Sequence, residues 1–168
     1  MILCTDVDYH DDGTAHAAGV VLQDWRARSP YDEAVVHVKD VAEYVPGQFY
    51  KRELPCILRV MRVLPSVGMV IVDGYTWLEP GRKGLGAHLW DALGGTIPVI
   101  GVAKAYFKNT KAIEVCRGKS KRPLYVTAQG IDEVVAAEQI SRMHGRHRFP
   151  EMLKRVDHLC RGRMKSQV

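Results

Sequence analysis

No two cysteines of this chain stand at C-x-x-C spacing; Cys4, Cys56, Cys116 and Cys160 are scattered singly. That argues against zinc-ribbon and thioredoxin-type motifs, and a disulfide framework is not expected in a chain of this kind. Cys4 and Cys56 have apolar neighbours and are expected to be small core residues. No apolar run approaches the roughly 20 residues that a bilayer-spanning helix needs. There is no repeat of fixed period and no low-complexity tract. Proline and glycine fall in turns and are not pooled in a linker, so the 168 residues are expected to form one domain, 1–168. The opening MILCTDVDYHDDG has no basic leader and soon carries Asp6 and Asp8, which speaks against a secretion signal. The expected compartment is the cytoplasm.

Charge is unevenly placed. Residues 1–43 hold nine acids against three Lys or Arg, and the remainder holds ten against 21, so that −6 and +11 give the net +5. A basic surface attracts polyanions, chiefly nucleic acid. A solvated basic face without a partner is the plain alternative, and charge alone does not separate the two.

Apolar periodicity orders the chain. ILCTDVDY (2–9) reads as a strand, HDDG as a turn, and HAAGVVLQ (16–23) and EAVVHVKDV (33–41) as two further strands of an antiparallel meander. From Gln48 to Leu64 the apolar spacing is helical, with Pro55 as a kink or a late start. MVIVDGY (69–75) is a short apolar run that stops at an acid and a glycine, as a buried parallel strand does. A helix (86–93), a second buried strand (97–104), a polar basic connection (105–122) and one more strand (123–130) follow. The spacing then predicts a helix over 131–145, with Ile131, Val134, Val135 and Ile140 on its inner face, and a last helix beginning near Pro150. Three antiparallel strands followed by parallel ones, with helices on the flanks, make an α/β mixed sheet whose element order matches the RNase H-like fold.

Three acids stand out. Open α/β sheets place their sites at the C-terminal ends of strands, where Asp73 sits. Asp6 lies inside the first strand between apolar residues, a costly place for an unpartnered charge. Glu53 belongs to the next helical region. Converging, the three could hold a hard cation such as Mg²⁺, which takes oxygen ligands and keeps some waters. Such a site hydrolyses phosphodiesters. Taken singly, Asp73 before Gly74 could be a turn former, Glu53 beside Arg52 a surface ion-pair partner, and Asp6 a partner of a neighbouring strand.

In the segments TDVDY (5–9), YVPGQFYKREL (44–54), VIVDG (70–74) and PVIGVAK (98–104), the chain resembles the endonuclease V family from residue 2 to about residue 160. The resemblance implies a metal-dependent endonuclease acting near hypoxanthine in DNA or RNA, with Mg²⁺ as cofactor and Mn²⁺ as a possible substitute. Asp6, Glu53 and Asp73 fall on the family's metal carboxylates, Lys104 on a lysine near the scissile phosphate, and Tyr44 on the aromatic of the wedge that intrudes at the lesion. Gly47 and Gly74 fall on the pocket for a flipped base, and His88 on a downstream histidine. Taken alone, Tyr44 would be a half-buried loop aromatic and the two glycines turn residues.

There are departures. Glu43 replaces the first proline of the wedge, and Glu79-Pro80-Gly81 stands where the family has His-Pro-Arg. The family's late histidine falls on Asp157, a candidate fourth metal ligand, with His158 one residue away. The helix usual before the first strand is missing, and the stretch after Lys104 is short. Basic stretches at 104–122, with seven Lys or Arg, and at 142–148 and 161–165 could contact phosphates. No protein partner is expected. Two alternatives stand beside the inosine reading: a nuclease for branched or structured nucleic acid, and a binding module without catalysis.

Overall fold

The computed structural model describes residues 1–163. Of the basic tail at 161–165, Met164 and Lys165 lie outside the described residues. The elements are β1 (Ile2–Tyr9), β2 (Ala15–Leu22), β3 (Asp32–Val38), α1 (Tyr50–Met61), β4 (Met69–Asp73), β5 (Trp77–Glu79), β6 (Arg82–Lys83), α2 (Leu85–Ala92), β7 (Val99–Ala103), β8 (Ile113–Val115), β9 (Leu124–Gln129), α3 (Glu133–Arg142) and α4 (Glu151–Cys160).

Seven strands form one sheet in the order β3-β2-β1-β4-β7-β9-β8, and β5 and β6 form a separate hairpin. The β1–β2–β3 meander is antiparallel, and β1, β4 and β7 run parallel. Strand alternation divides the core in two. Ile2, Cys4, Ile71, Ile100 and Val102 face α3 and α4, whereas Leu3, Val7, Val70, Val72 and Val99 face α1 and α2. The central strands are therefore covered on both sides, which is why their sequences read as unbroken apolar runs. Cys4 and Cys56 are buried, as their neighbours suggest. Among the described residues no helix is long and apolar enough to cross a membrane.

Several details differ from the sequence expectation. The strands after the meander are not all parallel: β9 pairs antiparallel with both β7 and β8. The connection 105–122 contains the short strand β8, and the glycine-rich stretch before α2 contains the β5–β6 hairpin. Strands of two or three residues carry too little periodicity to stand out. The helix expected over 131–145 starts later, where the Asp132 side chain accepts hydrogen bonds from the amides of Val134 and Val135, and ends at Arg142. Its inner face is Ala136, Ala137 and Ile140, while Val134 and Val135 are 57% and 45% exposed. Small residues let α3 lie close on β8 and β9, and the two valines project from its first turn.

Arg117 changes role as well. It lies within the stretch expected to contact phosphates, but it is 6% exposed. Its guanidinium donates to the carbonyls of Ser141, Met143, Gly145, His147 and Arg148. It thus satisfies the orphan carbonyls at and beyond the C-terminal end of α3. Arg155 on α4 forms a fork with Glu33 on β3 at 2.6 and 2.8 Å, tying the last helix to the meander.

Candidate active site

The site forms where β1, β4 and β7 end together. Thr5 pairs with Val72, so the next residues along these parallel strands, Asp6 and Asp73, emerge side by side on the α4 face. Asp73 pairs with Val102 on β7, and Lys104 follows β7 by one residue. Lys104 Nζ lies 2.9 Å from Asp73 Oδ2 and 3.8 Å from Asp157 Oδ1 on α4. It also stands 4.5 Å from the centroid of the Phe149 ring. Glu53 comes from the opposite layer: it occupies the first turn of α1 and is only 4% exposed.

Asp6, Glu53 and Asp73 line one open cleft of about 450 Å³, together with Asp8, Tyr9, Phe49 and Arg161. Their electrostatics are those of crowded acids. Burial first, then Asp73, pushes the Asp6 carboxyl up to about 6, against a hydrogen bond from the Val7 amide (2.8 Å) and the Lys104 charge. Burial, Asp6 and Asp73 hold Glu53 well above the usual carboxylate range, and Arg52 only partly opposes them. Glu53 Oε2 is buried without a hydrogen-bond partner. Burial disfavours the Lys104 ammonium, but Asp73 and Asp157 more than offset it, so its proton is held above the ordinary lysine range. Among the described residues no three His, Cys, Asp or Glu side chains already stand close enough to enclose an ion.

A second cavity, of about 260 Å³, adjoins the cleft through Asp73 and Phe49. Its walls include Gly47, Tyr50, Gly74, Arg82 and Phe107. Gly74 has φ +130° and Gly47 φ +76°, conformations that L side chains rarely adopt. The chain turns sharply at both, and neither residue has a side chain to intrude. Gly101 lies beneath: a Cβ there would meet Gly74 O at 2.6 Å and Thr76 N at 2.7 Å, so only glycine lets the loop after β4 cross β7 this closely.

Comparison with known proteins identifies the family. A family profile described as Endonuclease V matches residues 1–158. The chain belongs to the endonuclease V family. It is 30% identical over 183 residues to an endonuclease V of Streptomyces coelicolor, an alignment covering 96% of this chain and 78% of that protein. A shorter alignment with an endonuclease V of Azotobacter vinelandii, 35% identical, covers 67% of this chain and 50% of that protein. The crystal structure of a Streptomyces avermitilis endonuclease V superposes with a TM-score of 0.79 at 28% identity, over 96% of this chain and 79% of that one. A Ciona intestinalis endonuclease V, solved with a 23mer DNA containing an inosine followed by a ribo-adenosine, superposes with a TM-score of 0.80 at 18% identity, over 96% and 83%. The fold is accordingly RNase H-like, and the family is one of nucleases.

Within this endonuclease V chain, the structure brings Asp6, Glu53, Asp73, Lys104 and Asp157 together. Gly47 and Gly74 share the adjoining cavity. Tyr44 is 60% exposed and is not among the lining residues of either space. His88 stands behind the cavity, stacked on Tyr50 with centroids 3.6 Å apart. Glu79, the acid in place of the family's histidine, lies 3.4 Å from Arg82 at the β5–β6 turn and lines neither the cleft nor the adjoining cavity. Sequence reasoning passed over Asp8, Tyr9, Phe49 and Arg161 as cleft residues. Two signals were available: Asp8 shares the strand face of Asp6, and Arg161 stands one helical turn after Asp157.

Proposed function

We propose that this protein is a Mg²⁺-dependent endonuclease that hydrolyses a phosphodiester bond near hypoxanthine in DNA or RNA, with Mn²⁺ as a substitute ion. The observation that carries the reading is Glu53. An acid 4% exposed, with a buried, unpartnered Oε2 beside two other carboxylates, is costly in the absence of a cation. A set of carboxylate oxygens fits a hard dication. Asp6, Glu53 and Asp73 would hold it, with Asp157 as the fourth ligand. When bound, the ion supplies positive charge that polarises the phosphoryl group and makes an attacking water more acidic.

The chain's own groups do the rest. Lys104, 2.9 Å from Asp73 and half-exposed, is placed to put its ammonium against the scissile phosphate. The cavity beside Asp73 takes the extruded base, whose edge approaches backbone at Gly47 and Gly74. A deaminated base pairs poorly, which lowers the cost of extrusion. Tyr44, on the exposed loop, stacks into the space the base leaves, and His88 holds the cavity wall through Tyr50. The inosine-containing DNA bound by the Ciona intestinalis protein supports this choice of substrate.

Labelled single- and double-stranded DNA and RNA with one inosine, incubated with Mg²⁺, should be cut near the lesion, and inosine-free controls should not. Asp73→Ala should abolish the cut. Full activity in that variant would overturn the assignment.

A further inference from the structure

Besides Arg52, which flanks Glu53, two cations stand among the acids of the site. Lys104 follows β7, Arg161 stands at the C-terminal end of α4, and both reach Asp157 Oδ1, at 3.8 and 3.3 Å. Arg161 Nε is 3.3 Å from Asp157 Oδ1, one turn earlier in the helix, and its Nη1 is 3.9 Å from Asp8 Oδ1 on β1. Both contacts are looser than the roughly 2.7–2.9 Å of a strong charge-assisted bond. Its side chain is 40% exposed. Arg155 and Arg117, by contrast, hold their partners at hydrogen-bonding distance, on Glu33 and on carbonyls around the end of α3. Among the described residues, Arg161 therefore keeps a guanidinium fork available to the cleft that Asp6, Glu53 and Asp73 line.

We propose that Arg161 is a phosphate-binding residue that changes partners: it is the counter-ion of Asp157 and Asp8 in the free protein, and it turns to a phosphodiester of the bound strand once the carboxylates hold a cation. It grips the strand beside Lys104, with which it shares Asp157 Oδ1. A planar fork matches two phosphate oxygens at hydrogen-bonding distance, whereas its present acids stand at 3.9 and 3.3 Å. The location of the strand rests on the endonuclease reading above.

The two roles of one charge predict opposite effects. A guanidinium beside the acids competes with a dication for them, so removing it tightens cation binding. The same removal deletes a phosphate contact and weakens nucleic-acid binding. A purely structural arginine would weaken both.

The test uses the full chain with Arg161→Gln and Arg161→Lys. Calorimetric titration with Mn²⁺ alone should show tighter binding for Arg161→Gln than for wild type. Anisotropy of a fluorescein-labelled single strand with Ca²⁺ present should show weaker binding for Arg161→Gln, equally with and without inosine, because phosphate contacts carry no base information. The slope of log K against log salt should shrink by about 0.7, the contribution of one single-strand phosphate contact. Arg161→Lys should keep the slope and lose part of the affinity; should Arg161→Gln fail to fold, this variant carries the test. An unchanged slope in Arg161→Gln, a full retention of affinity in Arg161→Lys, or a Mn²⁺ affinity that falls along with nucleic-acid affinity overturns the proposal. If wild type binds but never cuts inosine strands while Arg161→Gln still loses the slope, the substrate reading fails and the phosphate contact stands.

Discussion

Replacing Asp6 by Asn should stabilise the cation-free protein while removing its ability to hold a cation. Asp6 is 8% exposed, and burial together with Asp73 moves its carboxyl from 3.8 to about 6. The unfolded chain loses this proton near 3.8 and the folded chain only near 6, so the folded state binds more protons in between. Stability contributed by this group is present below the unfolded value, falls as pH rises through that window, and stays low above it. At about 1.36 kcal/mol per pH unit, the gap corresponds to about 3 kcal/mol at neutral pH. Glu53, raised by the same causes, steepens the same slope. Asparagine keeps an oxygen for the Val7 amide, which now donates over 2.8 Å, and brings no charge. For a domain of this size about 3 kcal/mol corresponds to a rise of roughly 6–12 °C in Tm. Scanning calorimetry in EDTA between about pH 4 and pH 8 measures it. Wild type should lose stability across the window and Asp6→Asn should lose less. Added Mg²⁺ should then raise the Tm of wild type but not of the variant. A variant no more stable than wild type in EDTA at neutral pH would refute the account of the acid cluster.

Two further predictions concern groups outside the cleft. Arg117→Ala should destabilise the protein by about 3 kcal/mol or more, read as a lower urea midpoint, because five carbonyls around the end of α3 lose a buried donor. Gly101→Ala should depress inosine cleavage well beyond any loss of stability, since the new methyl group would press on Gly74 O and Thr76 N and displace the loop that walls the cavity beside Asp73, proposed above to take the base; unaltered cleavage kinetics in a folded Gly101→Ala protein would contradict that reading.

The burial pattern shows which inferences a sequence supports. Asp73 was legible because a run of apolar residues ending in an acid and a glycine is read locally, and β4 lies between β1 and β7 as such a run should. The meander was legible for the same reason, through alternation and the turn at His10–Gly13. Glu53 was not. Between Arg52 and Leu54 its local context is that of a helix surface, yet in the first turn of α1 Glu53 alone is buried, beside Asp6 and Asp73. Val134 and Val135 failed in the opposite sense, being apolar and yet outside the core. Arg117 looked like one more basic loop residue, and its buried role depends on carbonyls more than twenty residues away.

By itself the sequence determined the local quantities: the strands and helices of useful length, the strand-end position of Asp73, the two cavity glycines and the imbalance of charge between its two parts. These follow from periodicity and residue chemistry over a few neighbours. Only the tertiary structure decided that Glu53 is buried beside Asp6 and Asp73, that β9 turns antiparallel to β7, that Lys104 reaches both Asp73 and Asp157, and that Arg161 faces the cleft. Burial and charge coupling depend on which surfaces are brought together in space, and residues distant in the chain settle that.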